Sequence, residues 1–299
     1  QKNSEAAVTV TSTTNLTGLD YADTIVVSGT KQSEAPYNYG NITGAGTFTY
    51  SASAQSTTVA CTRSVKSYTF TLTKNSNVSS IKVWRTESPC QGAATSTESN
   101  PMINGTGTAT IYYGDKLSGT ASASTGYHFG NSNTSTTDSY TNSGVTGNAS
   151  WSPIVNLNAY TATFTATNCS WTNATRTIYH FDYITTSGQT VTCKAGGSSG
   201  SNRWQNTATK GSETGYTFGT PTLSGNTSVS SVTGDIAISA SSTKSRTAFT
   251  ASFATTDYAT WSNGTSLIIY YGDNVSRSGN TVTCKKWDAT STNRWTNTL

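Results

Sequence analysis

The sequence predicts an all-β protein, built as tandem small β-sandwich-like modules in an elongated array. Three observations lead to this fold class. Two separate motifs recur at one fixed spacing, and each recurring unit opens with alternating apolar and hydroxyl residues. Ser and Thr make up about a third of the chain. Leu, Ile, Val and Phe are few, and 16 Tyr and 7 Trp supply most of the apolar area that is missing for this reason. This composition is typical of thin β-structure with a hydroxyl-covered surface.

The internal repeat defines the units that fold. Thr190–Lys194 recurs as Thr281–Lys285, and Asn202–Trp204 recurs as Asn293–Trp295. Both motifs are displaced by the same 91 residues. Two motifs at one offset indicate a duplicated domain, because fixed-period similarity marks the repeating structural unit.

An earlier copy of the unit lies upstream. Ile111–Asp115 matches Ile269–Asp273, and Gly126–Phe129 matches Gly215–Phe218. Between these landmarks the first copy lacks a segment that the other two copies share. The sequence therefore predicts three related units, of which the first is the shortest.

Each unit opens with a period-two pattern, in Tyr68–Thr73, Tyr160–Thr165 and Ala248–Phe253. Alternation of this kind predicts half-buried strands with the aromatic side chains inward and the hydroxyls outward. Clusters of Gly, Asn and Ser separate the successive segments, as the turns of an antiparallel domain require.

These patterns set the expected domain boundaries. We expect an N-terminal β segment or domain at residues 1–65 and a first β repeat at 66–158. The second repeat is expected at 159–246 and the third at 247–299. The third is expected to be incomplete, because the second continues well beyond its Asn-Arg-Trp motif.

Composition excludes several classes of protein. The longest apolar run, Leu267–Tyr271, is far shorter than the roughly 20 residues of a membrane-spanning helix. The 18 Lys and Arg against 14 Asp and Glu are scattered, which argues against a nucleic-acid-binding surface. Helical periodicity is missing, so we expect fewer than about a tenth of the residues in helices.

The order of three motifs carries a family resemblance. A strand ends in Tyr-Gly-Asp at Tyr113–Asp115, Thr-Gly-Tyr-x-Phe follows at Thr125–Phe129 and Thr214–Phe218, and Val-Thr-Gly-Asp-Ile stands at Val232–Ile236. This order resembles the Listeria–Bacteroides type repeat. That family consists of small Ig-like or β-grasp-like modules, in tandem on bacterial surface adhesins and on proteins of phages that infect gut bacteria. The resemblance implies spacing, display and adhesion, and it implies no catalytic residues.

Candidate catalytic histidines are scarce. His128 and His180 are the only two in the chain, so a Ser-His-Asp arrangement has two possible bases. The repeat places Thr217 at the position of His128 and Tyr271 at the position of His180. Because other residues occupy these positions in other copies, we predict no catalytic histidine.

The positions of the acidic residues predict turn-capping side chains rather than catalytic carboxyl groups. Asp115, Asp182 and Asp273 stand at one repeat position, after a strand, where Asp commonly caps a turn. A glycosidase would need two carboxyl groups facing one groove, but the acids are scattered singly. The sequence shows no Walker loop, no metal-binding His pair and no Cys-x-x-Cys. We therefore expect no enzyme activity, no cofactor and no metal.

The five cysteines are an odd set. Cys169 and Cys193 lie in one unit on segments that could be neighbouring strands, so a disulfide between them is a candidate. It would contribute roughly 3 kcal/mol. Cys284 repeats Cys193 but has no counterpart of Cys169 in its own unit. Cys61 and Cys90 could pair with each other or stay free.

The segment that the first unit lacks is a candidate contact surface. It corresponds to Gly188–Asn206 and Gly279–Asn297, and insertions into a minimal module are tolerated at the surface. Each insertion contains Asn-Arg-Trp, whose residue types are enriched at contact centres. The alternative is an added strand pair whose Trp covers the core. The residues of the candidate surface are Arg203, Trp204, Arg294 and Trp295.

Together these observations favour a non-enzymatic structural or adhesive protein. We expect a tailed-phage virion fibre or decoration protein, located on the virion surface or outside the cell. The alternatives are a bacterial surface adhesin or extracellular filament subunit, and a secreted carbohydrate-binding module. The expected partners are proteins of the assembly and a cell-surface glycan, with no nucleic acid and no membrane span. The chain is expected to form a homo-oligomer or part of a larger assembly.

Overall fold

The computed structural model describes residues 24–49, 51 and 57–299. These residues form 28 β-strands and no helix, which confirms the all-β prediction. Accordingly, no helix in the described ranges has the length and hydrophobicity to cross a membrane. The chain divides into two compact units, Gln1–Leu157 and Asn158–Leu299. The arrangement of the modules in an elongated array stays a prediction.

The N-terminal segment forms two small antiparallel sheets. The strands are β1 (Thr24–Val27), β2 (Tyr37–Thr43), β3 (Gly46–Thr49) and β4 (Ala60–Val65). β1 pairs with β3, and β2 pairs with β4. Residues 1–23, which belong to the predicted N-terminal domain, lie outside the described residues.

The first repeat contains two larger sheets and one short strand pair. Its strands are β5 (Ser67–Leu72), β6 (Val78–Glu87), β7 (Ile103–Asn104), β8 (Gly107–Tyr112), β9 (Lys116–Ala123), β10 (Tyr127–Phe129), β11 (Thr137–Asn142), β12 (Ala149–Trp151) and β13 (Val155–Leu157). One sheet has the order β12-β5-β8, and the other has the order β11-β9-β6-β7. The strand β12 runs parallel to β5, whereas the other pairs are antiparallel.

The core of the first repeat lies between its two sheets. Phe70 on β5 and Ile111 on β8 come from one sheet, and Ile81 on β6 and Leu117 on β9 come from the other. Period-two alternation explains this arrangement, because every second side chain of a strand faces the opposite sheet. Trp151 and Tyr140 stack at the edge of this core, with ring centroids 5.5 Å apart.

The second repeat has the same two-sheet plan with an added hairpin. Its strands are β14 (Ala159–Thr167), β15 (Cys169–Trp171), β16 (Thr175–Tyr179), β17 (Tyr183–Ser187), β18 (Thr190–Lys194), β19 (Asn202–Lys210), β20 (Tyr216–Phe218), β21 (Thr222–Gly225), β22 (Ile236–Ser241) and β23 (Lys244–Arg246). The sheet orders are β16-β14-β22-β21 and β15-β19-β18-β17. Again one strand, β22, runs parallel to its neighbour β14.

Both sheets of the second repeat also contribute to its core. Phe164 on β14 and Ile238 on β22 pack in one cluster with Ile184 on β17 and Val191 on β18. Val232, which precedes β22, is fully buried in the same cluster. The strands β18 and β19 form the segment that the first repeat lacks, so that segment belongs to a core-covering sheet.

As far as Leu299, the third repeat follows the strand order of the second repeat, except that its described residues form no counterpart of β15. Its strands are β24 (Ala248–Ser252), β25 (Ser266–Tyr270), β26 (Asn274–Ser278), β27 (Thr281–Lys285) and β28 (Asn293–Thr298). β24 pairs with β25, and β26, β27 and β28 form an antiparallel sheet. The described residues give β24 no second neighbour, in contrast to β5 and β14.

Candidate functional site

The candidate site is a buried aspartate that follows a tight turn in each repeat. Asp115, Asp182 and Asp273 are each the fourth and last residue of this turn, which begins at a Tyr. Their side chains are at most 1% exposed. Each carboxylate Oδ2 accepts a hydrogen bond from the amide of the Tyr three residues earlier, at 2.8 to 2.9 Å. Each Asp amide donates back to the carbonyl of that Tyr. This geometry is the turn that the sequence predicted.

The turn requires a left-handed residue just before the aspartate. Gly114 and Gly272 have φ of 80° and 81°, values that glycine adopts without steric cost. The second repeat has Phe181 at this position with φ of 68°, which is uncommon for a bulky side chain. The ring of Phe181 packs edge-on against His180, at a centroid distance of 4.3 Å. The second repeat therefore forms the same turn although a bulky residue, Phe181, occupies the left-handed position.

An arginine pairs with the aspartate of the second repeat. Nε of Arg203 lies 2.8 Å from Oδ2 of Asp182 and 2.9 Å from Oδ1. The guanidinium also lies over the ring of Tyr179, 4.5 Å from its centroid. Cation, carboxylate and aromatic ring thus form one compact cluster against the turn.

A β-bulge directs the arginine toward the carboxylate. Cys193 pairs with Trp204 and Lys194 pairs with Asn202, so Arg203 is the extra residue on β19. A bulge of this kind changes the direction of one side chain without ending the strand. The third repeat has the same register shift around Arg294.

The third repeat forms the pair in bidentate geometry. Nε of Arg294 donates to Oδ2 of Asp273 at 2.7 Å, and Nη2 donates to Oδ1 at 3.0 Å. The guanidinium lies 4.3 Å from the ring centroid of Tyr270. Hydrogen bonds from Arg294, and from the amides of Tyr270 and Trp287, hold the pKa of Asp273 well below its usual range, against the opposing effect of burial. The same pair raises the pKa of Arg294.

The first repeat makes the pair with an arginine from a different strand. Nε of Arg85 on β6 donates to Oδ2 of Asp115 at 2.8 Å, and its Nη2 donates to the carbonyl of Thr110 at 2.7 Å. Sequence reasoning missed Arg85 because it lies outside the repeated motifs. A signal was present, since Ile81, Val83 and Arg85 alternate on one face of β6, which places the arginine inward.

A buried thiol completes the cluster in the second and third repeats. Sγ of Cys193 lies 3.4 Å from Oδ2 of Asp182, and Sγ of Cys284 lies 3.6 Å from Oδ2 of Asp273. Burial and the neighbouring carboxylate raise the pKa of Cys193 to about 12, and they also raise the pKa of Cys284. Both groups are therefore neutral thiols at pH 7, which donate hydrogen bonds and are poor nucleophiles.

The two predicted contact tryptophans pack against the sheets. Nε1 of Trp204 donates to the carbonyl of Thr177, and Nε1 of Trp295 donates to that of Ile268, both at 2.8 Å. Trp204 packs edge-on against Phe164 at a centroid distance of 5.8 Å, and Trp295 makes the corresponding contact with Phe253 at 5.7 Å. The structure therefore favours the alternative of an added strand pair whose Trp covers the core.

The candidate contact surface stays a prediction, and its arginines are engaged within their own repeats. Arg203 and Arg294 direct their guanidinium groups to a carboxylate of their own repeat, and their side chains are 31% and 22% exposed. Among the tryptophans Trp287 is more exposed, at 54%, and the guanidinium of Arg246 lies 5.1 Å from its ring centroid.

The candidate disulfide is not formed in the structure. All five cysteines are free. Cys169 on β15 pairs with Lys210 of β19, whereas Cys193 on β18 pairs with Trp204 of β19. The two cysteines thus lie on opposite sides of β19 and about six residues apart along it, which is roughly 20 Å at the rise of a strand. A disulfide requires Cα atoms within about 7 Å.

Both histidines are buried. Nδ1 of His180 lies 3.2 Å from the hydroxyl of Tyr160, and His128 is buried on β10. Within the described residues no group of three or more His, Cys, Asp or Glu side chains has the arrangement of a metal site. A polar cavity of about 400 Å³ in the first repeat is lined by Ser, Thr, Lys82, Glu98 and Asp138, with no aromatic side chain among its lining residues.

Comparisons with known proteins give no relative. No family model, no curated protein and no solved structure matches the chain.

Proposed function

We propose that the chain is a non-enzymatic structural and adhesive protein. Its tandem β modules would form a fibre or decoration on a tailed-phage particle. The observation that supports the proposal is that each repeat directs its buried aspartate to its own turn and its own arginine. The one arrangement of charged groups that recurs in all three repeats thus stabilises a module.

Each of these carboxylates already accepts hydrogen bonds from its own repeat, which argues against acid–base catalysis at this site. A general base needs an accessible lone pair within hydrogen-bond reach of a substrate. Asp273 instead accepts hydrogen bonds from Arg294, from the amides of Tyr270 and Trp287, and from the thiol of Cys284. The low pKa of Asp273 also makes it a weak base at pH 7.

The virion setting follows from the sequence resemblance and from the tandem repeat. Tandem β modules rich in Ser and Thr suit a protein that spaces or displays a partner outside the cell. The same modules would suit a bacterial surface adhesin. Where the protein is found distinguishes the two settings, because a virion protein co-purifies with phage particles and an adhesin co-purifies with the cell envelope.

Mass spectrometry of purified phage particles and of envelope fractions from the same culture tests the proposal. The proposal predicts this chain in the particle fraction at a stoichiometry typical of a fibre or decoration protein. Enrichment in the envelope fraction with none in particles would favour the adhesin. A soluble fraction that turns over a substrate, with loss of turnover in Asp182→Asn or Asp273→Asn variants that remain folded, would overturn the structural function.

Glycan binding is a second candidate function, which one exposed aromatic favours. Trp287 presents 54% of its surface to solvent, and Tyr258 in the same repeat is 98% exposed. Exposed aromatic faces are the usual platforms for sugar rings. A glycan array with the wild-type chain and a Trp287→Ala variant tests this candidate. Binding that the variant loses supports it, and an array without signal removes it.

A further inference from the structure

The segment before the first repeat carries part of the repeat sequence. Residues 30–40 match residues 209–219 of the second repeat, and six of the eleven positions are identical. The identical residues are Thr, Lys, Ser, Glu, Tyr and Gly, all displaced by the same 179 residues. Several identities at one offset indicate a common structural unit. A sequence from the closing part of a repeat therefore also stands in front of the first repeat.

The matched residues form the same pair of strands. In the second repeat β20 pairs with β23, and Tyr216 lies opposite Arg246. In the N-terminal segment β2 pairs with β4, and Tyr37 lies opposite Val65. Both pairs are antiparallel, and in each the amide of the Tyr donates to the carbonyl of the Glu three residues earlier, at 3.1 Å. The local structure thus agrees with the sequence match.

A single residue joins each of these strand pairs to the repeat that follows. Lys66 lies between β4 and β5, and Thr247 lies between β23 and β24. The amide of Lys66 donates to the carbonyl of Pro36, and the amide of Thr247 donates to the carbonyl of Gly215, both at 2.9 Å. Each linking residue is therefore bonded to the module that precedes it.

The carbonyl of the same linking residue is bonded to the module that follows. The carbonyl of Lys66 accepts a hydrogen bond from the amide of Tyr113, and that of Thr247 accepts one from the amide of Tyr271, both at 2.9 Å. Both tyrosines are the second residues of their aspartate turns. One residue thus connects the strand pair of one module to the aspartate turn of the next.

A cation also packs over the tyrosine of both strand pairs. Cζ of Arg63 lies 4.4 Å from the ring centroid of Tyr37, and Nζ of Lys244 lies 4.2 Å from that of Tyr216. A cation at this distance from an aromatic ring is attracted to its face. The two strand pairs therefore share a side-chain contact in addition to their backbone pattern.

Arg246 adds a side-chain connection between the second and third repeats. Its Nη1 donates to the carbonyl of Tyr271 at 2.9 Å, and its Cζ lies 5.1 Å from the ring centroid of Trp287. The N-terminal segment has Val65 at this position, and the first repeat has Leu157. The arginine contact is therefore specific to the connection between the second and third repeats.

We infer that Lys66 and Thr247 are the centres of one recurring joint, which couples a module rigidly to the next. The interaction surface is the end of the strand pair β2–β4 or β20–β23, and the partner that fits it is the aspartate turn of a following repeat. The pair β2–β4 is on this inference the closing strand pair of a further copy of the repeat. Each joint lies within one compact unit of the chain.

The rigidity follows from hydrogen bonds on both sides of the linking residue. A flexible linker is a run of unbonded backbone, typically rich in Gly and Ser. At each joint the linker is one residue, and both its amide and its carbonyl are bonded. In tandem repeats such contacts between neighbours contribute directly to stability. A rigid joint would hold a displayed partner at a fixed distance, which deepens the proposed structural function and rests on it.

NMR relaxation of the backbone amides in the 299-residue chain tests the coupling, because it reports the rotational correlation time of each module. We expect the second and third repeats to share one correlation time. The strands β2 and β4 should likewise share one with the first repeat. In hydrogen exchange, the amides of Lys66 and Thr247 should be as well protected as those of the neighbouring strands.

An insertion separates the two sides of a joint. Gly-Ser-Gly inserted between Arg246 and Thr247 should accelerate exchange of the Thr247 amide at least about tenfold. It should also give the third repeat a shorter correlation time than the second. The same insertion after Ser199, in an exposed loop of the second repeat, is the matched control and should change neither quantity.

A substitution tests the joint without lengthening the backbone. Arg246→Leu installs the residue that the first repeat has at this position, and it should accelerate exchange of the Thr247 amide by roughly two- to tenfold. Arg277→Leu is the matched control, because Arg277 is exposed and bonds to Gly279 of its own hairpin. The exchange rate at Thr247 in this control should equal that of the wild type.

Three outcomes would overturn the inference. These are separate correlation times for joined modules in the wild type, rapid exchange of the Lys66 and Thr247 amides, and an insertion at Thr247 that acts no differently from its control. None of them would remove the chain from purified particles. A failed inference is thus distinguishable from a failed structural function.

Discussion

Arg294 and Asp273 form two parallel hydrogen bonds, from Nε to Oδ2 at 2.7 Å and from Nη2 to Oδ1 at 3.0 Å. Asp273 comes from the turn before β26, and Arg294 comes from a bulge in β28. The pair therefore joins the first and last strands of a three-stranded sheet, over the thiol of Cys284 on the middle strand. The second repeat makes the same cross-sheet connection with Asp182 and Arg203.

Asp182→Asn should destabilise the second repeat by roughly 3 kcal/mol, because breaking a buried pair leaves its partner charge uncompensated. Urea unfolding followed by tryptophan fluorescence measures this loss. Asp257→Asn is the matched control, since Asp257 is exposed and should change stability by less than about 0.5 kcal/mol. Equal stability of the two variants would show that the pair contributes nothing.

The repeat and its strands were predictable from the sequence, but the ion pairs were not. Period two in Tyr160–Thr165 is a local signal, and it identified β14 correctly. The pairing of Arg203 depends on a bulge between β18 and β19, which no local pattern specifies. The pairing of Arg85 was harder still to predict, because its partner Asp115 lies in a turn thirty residues away in sequence.

The low pKa of Asp273 predicts how the stability of the third repeat depends on pH. The unfolded carboxyl has a pKa of about 3.9, and the folded one lies below it. The stabilisation is therefore complete above about pH 5 and is lost as pH falls through 4 toward the folded pKa. The difference in unfolding free energy between wild type and Asp273→Asn should be constant from pH 7 to 5. Below about pH 4 it should shrink, and a difference that grows in acid would contradict this assignment.

Alkylation should separate the cysteines into two classes. Cys193 and Cys284 are buried neutral thiols and should stay unlabelled in the native chain at pH 8. Cys61, Cys90 and Cys169 are partly exposed and should react. After denaturation without reductant all five should be labelled, as read by mass spectrometry. Continued protection of Cys169 and Cys193 together would reveal the disulfide that the structure lacks.

Gly215→Ala should loosen the contact between the second and third repeats. Gly215 has φ of 81°, and a Cβ there would lie 1.9 Å from Cδ1 of Tyr271. Gly188→Ala is the matched control, because Gly188 also has positive φ but no atom within 4 Å of the added carbon. Hydrogen exchange at the amide of Tyr271 should accelerate only in the first variant. Equal exchange in both would mean that the ring moves aside without loss of the contact.

A double-mutant cycle on Asp182 and Arg203 tests most directly the claim that these charge pairs are structural. Unfolding free energies are measured for wild type, Asp182→Asn, Arg203→Met and the double variant, each by urea denaturation at pH 7. We expect a favourable coupling energy of about 1 to 3 kcal/mol between the two side chains. A coupling energy near zero, with both single variants as stable as the wild type, would contradict it.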